Sequence, residues 1–375
     1  MIHRMIVLSI LLLATAASAA ADPEIPSLKR AFEGDFLVGT ALNRNQIMGR
    51  DPAILKLVTS QFNQVTAENV MKWEKIEPRE GEFDWTAADA LVDFAERNDM
   101  QVAGHVLVWH QQTPAWVFEG ADGAPASREQ LLSRMREHIE AVVSRYKGRV
   151  RYWEVVNEAL NEDGSLRRSP WLEGIGEDYI EKAFEFAHRA DPEAILYYND
   201  YNLYKPTKRA GAVRLVQGLI EKGAPVGGIG MQAHYGMDHP ANLGDFEASI
   251  EAFAALGMPV HITEMDISVL PMPGPEAEGA DLDVDVALNR ALNPYAGGLP
   301  ADVTERQASR YEAIFRILLA HRKDVARVTF WGVDDGQSWK NDWPVRGRTD
   351  YPLLFDRDGQ PKAAFYALIR SSYSK

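Results

Sequence analysis

Two glutamates, Glu158 and Glu264, each follow directly on an apolar, β-rich run, at 152–156 and 260–263. A pair of opposed carboxyl groups is what acetal hydrolysis needs, one to protonate the departing oxygen and one to meet the cationic sugar carbon. At about 5–5.5 Å separation the second group attacks directly and configuration is retained; at about 6.5–9.5 Å a water fits and configuration inverts. A lone strand-end glutamate is more often an ion-pair partner or a solvated charge. Here the context favours chemistry: Asn157 precedes Glu158 and is placed to bond a substrate hydroxyl, and His234, ending a neighbouring run, can orient Glu264.

The other apolar runs also end in polar side chains. These are Glu68-Asn69 with Lys72 one turn on, His105 with Trp109-His110, Asn199-Asp200, Gln232, Asp266, and Trp331 with Asp334. His105, His110 and His234 could ligate a metal, but no His-Glu-x-x-His helix or acidic cluster accompanies them, so they are read as hydrogen-bonding groups and no metal or other cofactor is expected. Trp109, Trp331 and Trp339 have core or rim packing as the ordinary alternative; beside amides and carboxylates they are better read as platforms for sugar faces. Phosphate-binding glycine loops and the Gly-x-Ser-x-Gly elbow are absent from the sequence.

The elements that must position these groups are eight β-type runs, at 36–42, 62–66, 102–109, 152–156, 195–198, 228–233, 260–263 and 328–332. Most lack a polar alternate face, as parallel strands covered on both sides do. Helical stripes separate them, at 88–97, 179–190, 212–222 and 246–256. Ser127 and Gln130 form a candidate capping box ahead of Leu131, Met135, Ile139 and Val142, with Gly148 as the stop; Thr304 and Gln307 repeat the device before Tyr311, Ile314 and Phe315. Strand and helix alternating eight times predict an α/β fold, a single closed (β/α)8 TIM barrel, with the strand-end residues around one opening. The Pro-, Gly- and Asp-rich stretch 271–300 is expected to be a rim insertion. Its acids Glu276, Glu278, Asp281, Asp283 and Asp285 lack calcium-loop spacing and are read as a solvated loop.

Composition narrows the chemistry. The 375 residues contain no cysteine, which removes disulfides, thiolate metal sites and thiol nucleophiles. A net charge of -14 without a basic stripe argues against nucleic acid as a partner. Residues 1–19, with Arg4 before an apolar run that ends Ala17-Ser18-Ala19, have the pattern of a secretory signal. The run is too short to span a bilayer, so a secreted or periplasmic chain with no membrane span after signal removal is expected, with 20–375 as the catalytic domain.

At this point several segments together resemble glycoside hydrolase family ten, the retaining endo-β-1,4-xylanases. They are Thr66-Ala67-Glu68-Asn69-Val70-Met71-Lys72-Trp73, Gly104-His105-Val106-Leu107-Val108-Trp109-His110, Trp153-Glu154-Val155-Val156-Asn157-Glu158-Ala159, Gly230-Met231-Gln232-Ala233-His234, Ile262-Thr263-Glu264-Met265-Asp266 and Thr329-Phe330-Trp331-Gly332-Val333. The resemblance implies that Glu158 is the acid/base and Glu264 the nucleophile, that His234 and Asp266 hold Glu264, and that Asn157 contacts the sugar 2-hydroxyl. It also implies that Glu68, Asn69, Lys72, His105, Trp109, Gln232, Trp331 and Trp339 line the glycone side and Asn202 the aglycone side. The implied partners are xylan and xylo-oligosaccharides, met by a monomer. Asp334 stands where the family usually has Thr. On this reading the charge of Glu264 is expected to raise the pKa of Glu158. A cellulase or mixed-linkage glucanase on the same barrel, or a non-catalytic sugar-binding barrel, are the alternatives.

Overall fold

The computed structural model describes residues 25–120, 123–274 and 287–373. The leader 1–19 and the five acids of the 271–300 stretch lie outside the described residues. Each of the eight apolar runs forms a parallel strand, and a short ninth strand, β7, follows the sixth: β1 Leu37–Leu42, β2 Gln64–Ala67, β3 Gln101–Gly104, β4 Tyr152–Asn157, β5 Ile195–Asp200, β6 Gly228–Met231, β7 His234–Gly236, β8 Val260–Ser268 and β9 Val325–Phe330. Pairing runs from β1 through β6, then β6 to β8, β8 to β9 and β9 back to β1, so the sheet closes into an eight-stranded barrel. The short β7 pairs only with β8, continuing the sixth barrel strand upward.

The strand at 260–263 runs on to Ser268, the last strand covers 325–330 rather than 328–332, and two further strands break within their apolar runs. The third ends at Gly104; its continuation Val106–Trp109 is no longer regular strand but stays bonded to the fourth strand, with Leu107 N to Glu154 O at 3.0 Å and Val108 N to Val155 O at 3.0 Å. The sixth breaks at Gln232-Ala233, where Ala233 takes a φ of +62°. Both breaks lie where the chain stops building wall and starts presenting side chains, the usual place for irregular backbone in a barrel.

The helices cover the barrel through their predicted stripes. Thr86–Arg97 buries Ala88, Leu91, Val92 and Ala95. Arg128–Arg145 buries Leu131, Met135, Ile139 and Val142 and opens on the expected capping box, Ser127 N donating to Gln130 Oε1 at 2.8 Å. The second expected box does not form. Helix Ala301–Ala320 begins earlier, after Pro300, so Thr304 lies inside it and bonds to Pro300 O. Gln307 instead donates to Ile267 O and Tyr351 O, tying the helix to β8. Pro300 takes the N-cap place and Asp302 lies in the first turn, where a negative charge suits the helix dipole, so the helix starts ahead of Thr304. The described ends of the 271–300 stretch are fastened to the chain after β9: Arg348 donates to Pro271 O, Thr349 N to Asn293 Oδ1 and Tyr351 OH to Tyr295 O. Among the described residues no helix is long and apolar enough to cross a membrane.

Candidate active site

The register of the strands brings Asn157, Asn199 and Gly230 to one level, since Asn157 is paired with Asn199 and Asn199 with Gly230. Backbone bonds continue the level to both glutamates: Glu158 N donates to Asn199 O and Glu264 N to Gln232 O, each at 2.9 Å. A Cβ on Gly230 would lie 2.3 Å from Asn199 Oδ1, so only glycine leaves room for the Asn199 amide there. Glu158 itself has a φ of +56°, a left-handed conformation that costs a non-glycine residue about a kilocalorie per mole or more and turns its side chain into the barrel mouth.

The mouth is an open cleft of about 290 Å³. Of the residues singled out from sequence, Glu68, Asn69, Lys72, His105, Trp109, Asn157, Glu158, Asn202, Gln232, His234, Glu264, Trp331 and Trp339 line it. Asp266 lies behind, fully buried, and reaches the cleft through His234. Asn199 and Asp200 are also fully buried behind the lining. His110 borders a small crevice on the far side of Glu158, and Asp334 does not face the cleft: its carboxylate caps the turn Asp335–Gln337 by accepting from Gly336 N.

Glu264 is gripped on both oxygens. His234 Nε2 lies 3.1 Å from Oε2, and Asn199 Nδ2 donates to Oε1 at 2.8 Å. The other ring nitrogen of His234 bonds Asp266 Oδ2 at 3.0 Å, and Trp339 Nε1 donates to the same oxygen at 2.8 Å. Burial alone would raise the pKa of Glu264, but the His234 hydrogen bond, the charges of His105 and His234 and the Asn199 bond outweigh it and hold the group below the ordinary carboxylate range. Asp266 is likewise held low: burial is opposed by His234, Lys340 and Trp339. Glu264 is therefore an oriented carboxylate.

Glu158 is in the opposite condition. Trp109 Nε1 donates to Oε2 at 2.9 Å and Gln232 Nε2 to Oε1 at 2.8 Å. Burial raises its pKa, the charge of Asp200 raises it further, and His110, Gln232 and Trp109 only partly offset this. The second cause is thus Asp200 rather than Glu264, the source expected from sequence. The two glutamates are linked through amides: Gln232 Nε2 and Asn199 Nδ2 both donate to Asn157 Oδ1, at 3.2 and 3.3 Å. One carboxyl pushed up beside one held low is the pairing that separates an acid from a nucleophile or base.

Around this pair lies a polar wall. Lys72 Nζ donates to Asn69 Oδ1 at 3.0 Å and to Gln112 Oε1 at 2.6 Å, and sits 4.9 Å from the Trp109 ring. Burial lowers its pKa, against the charges of Glu264, Glu68, Glu158 and Glu154. Burial raises Glu68, with Lys72 and His105 opposing. Trp331 stands edge-on to His105 at 5.1 Å, while Trp339 stacks on Trp343 at 4.7 Å. Amide and carboxylate acceptors beside indole faces suit a chain of neutral hydroxylated rings.

Sequence reasoning gave no role to Asn199, Glu154, Gln112, Lys340 or Trp343. Glu154 is buried in β4 and bonds His105 Nδ1 at 3.0 Å, with burial pushing its pKa up against the His105 charge. His105, Glu154 and Glu264 offer ligand atoms within 4.8 Å of one another. A charged residue inside an otherwise apolar strand was the available signal for Glu154, since such a group must find a partner. Gln112, at a φ of +45°, carried no signal of its own.

Comparison with known proteins gives concordant matches. A family model described as glycosyl hydrolase family 10 matches residues 27–371. An endo-1,4-beta-xylanase A from Xylanibacter ruminicola is 46% identical over 352 residues, covering 94% of this chain and 95% of that protein. A beta-1,4-xylanase from Dictyoglomus thermophilum is 44% identical, covering 92% and 91%. Among solved structures, a GH10 endoxylanase from a sugarcane soil metagenome is 42% identical with a TM-score of 0.87, covering 92% of this chain and 99% of that one. The xylanase XynB of Paenibacillus barcinonensis, complexed with a conduramine derivative, is 42% identical with a TM-score of 0.82, covering 92% and 98%.

Proposed function

Since the chain belongs to glycosyl hydrolase family 10, we propose that it is an endo-1,4-β-xylanase that cleaves internal xylosidic bonds in two steps with retention of configuration. Glu158 gives its proton to the departing glycosidic oxygen while Glu264 attacks the anomeric carbon, forming a glycosyl ester. Glu158, now a carboxylate, takes a proton from the water that opens the ester, and both groups return to their starting states. Asn157 bonds the 2-hydroxyl of the reacting sugar. Glu68, Asn69, Lys72, His105, Trp109, Gln232, Trp331 and Trp339 hold the glycone side, and Asn202 the aglycone side.

The observation that carries this reading is the asymmetry of the two carboxyls. Glu264 is clamped by His234 and Asn199 and its pKa is held low, whereas Glu158 is buried on the other side of the same amide chain and its pKa is raised. The names of the matched relatives support xylan as the substrate. The test is product analysis on xylan and cellulose side by side, with the anomeric configuration of the first product followed by proton NMR. Xylo-oligosaccharides released first as the β-anomer support the reading; α-anomers refute retention, and equal turnover of cellulose refutes the substrate assignment.

We further propose that the protein is exported, on the strength of the signal pattern of its first 19 residues, and acts as a monomer. Fractionation with N-terminal sequencing of the mature chain tests export, and sedimentation the monomer.

A further inference from the structure

Behind Glu158, outside the cleft, a buried ion pair joins Asp200 at the end of β5 to Lys208 in helix Pro206–Glu221, with Lys208 Nζ 2.9 Å from Asp200 Oδ1 and both side chains without exposed surface. Nothing in the mechanism above uses it. The contacts of Asp200 lead to the turn that carries the acid. Asp200 Oδ2 accepts from Leu160 N at 3.3 Å and from the Tyr198 hydroxyl, and that hydroxyl in turn accepts from Ala159 N at 3.1 Å. On the other side Arg167 Nε donates to the Glu158 carbonyl at 2.9 Å, and its Nη2 to the Tyr201 hydroxyl at 2.9 Å. The left-handed Glu158 and the two residues after it are thus fastened by one buried network.

We propose that the Asp200–Lys208 pair is a positioning device for the acid/base: Asp200 fixes the Glu158–Leu160 turn and supplies a negative charge behind the carboxyl, and Lys208 limits how much of that charge Glu158 feels. The inference rests on the reading of Glu158 as the acid. Lys208 is well placed for the second task. Its ammonium also reaches Glu162 Oε1 at 3.2 Å and sits 3.4 Å from the Tyr201 ring centroid, so it is held against moving away. Glu162 is shared with Lys205 at 2.8 Å and with Asn202, which ties the pair to the aglycone end of the cleft.

The groups that face Glu158 from other elements are His110 and Trp109 after β3, Gln232 after β6, Asp200 and, from after β2, Lys72. Those facing Asp200 are Lys208, Tyr198, Tyr201 and Tyr179, with Arg167 near Tyr179. Of these, only Asp200 adds a negative charge close to Glu158, in agreement with burial and then Asp200 as the causes that raise the acid's pKa. Asp200 keeps three hydrogen-bond donors, from Tyr198, Leu160 and Tyr201, when Lys208 is neutralised.

The test is the pH profile of kcat/KM on xylan for Lys208→Met, Lys208→Arg and Asp200→Asn. An acid is lost as pH rises through its pKa, so the basic limb reports Glu158. Asp200→Asn moves that limb to lower pH and Lys208→Met moves it to higher pH, each by roughly half a unit or more, while Lys208→Arg restores the original profile. Opposite movements are what a merely structural role would not produce. Limbs that stay in place, or that move together, overturn the proposal. Should Asp200→Asn fail to fold, the two Lys208 variants still decide it. Glu158→Gln is measured alongside: if it retains activity the acid assignment itself is wrong, whereas if it is inactive and the limbs of the other variants do not move, only the present inference fails.

Discussion

Replacing Asn199 with alanine tests how Glu264 is kept ready to attack. Asn199 is fully buried; its Nδ2 donates to Glu264 Oε1 at 2.8 Å and to Asn157 Oδ1 at 3.3 Å, and its Oδ1 accepts from Thr263 Oγ1 at 2.7 Å. A hydrogen bond to a charged group is worth about 1.5–3 kcal/mol. If that support is needed in the transition state, its loss lowers kcat/KM roughly ten- to hundredfold at about 1.4 kcal/mol per decade. The pH profile should change as well. Glu264 must be ionised, its pKa is held down partly by Asn199, and activity falls as pH drops through that pKa. Removing the donor raises the pKa and moves the acid limb to higher pH. Asn199→Asp has the same shape but puts a second carboxylate beside Glu264, so it should lose more than the alanine variant. The assay is kcat/KM against pH on an aryl xylobioside, with thermal melting as a control for folding. A loss under about threefold with an unmoved acid limb would refute the reasoning.

Two further outcomes follow from the same geometry. Glu158→Gln should lose about 10²–10⁴-fold on xylan but far less in the first step on a dinitrophenyl xylobioside, whose leaving group needs no proton; equal losses on both would contradict the acid role. Gly230→Ala would place a Cβ 2.3 Å from Asn199 Oδ1 and 3.0 Å from Thr263 Cγ2, so denaturant titration should show a stability loss of about 1–3 kcal/mol together with reduced turnover, and an unaffected variant would mean that the Asn199 amide does not need its present place.

The barrel was legible because its strands are buried on both faces and therefore read as continuous apolar runs, each followed by an amphipathic stripe. Continuous runs do not show where pairing stops. The stretch Val106-Leu107-Val108-Trp109 looks like strand in composition, yet past Gly104 regular strand ends and the chain, still bonded to the fourth strand, carries Trp109 to Glu158. Likewise the sixth run gave no sign of the break that frees Gln232 for Glu158. Thr304 failed as a cap for a local reason: helix propensity upstream and Pro300 won over a side chain that bonds back to Pro300 O. At the site, the strand-end residues were found by position, because the barrel brings every strand end to one opening. What position could not reveal was depth. Asn199 and Asp200 end their strand as plainly as Asn157 and Glu158 end theirs, but the register sets them behind the lining, where one grips Glu264 and the other raises the pKa of Glu158. Charge effects of that kind depend on distances across the barrel, which no spacing in the chain encodes.

The central claim, that Glu264 becomes bonded to the sugar while Glu158 moves the proton, is tested most directly by trapping. A 2-deoxy-2-fluoro xylobioside with a dinitrophenol leaving group slows hydrolysis of the ester, so intact mass spectrometry should show one added fluoro-xylobiosyl unit, located by peptide mapping on Glu264. An unmodified protein after turnover of the reagent, or label on any other side chain, would contradict the account.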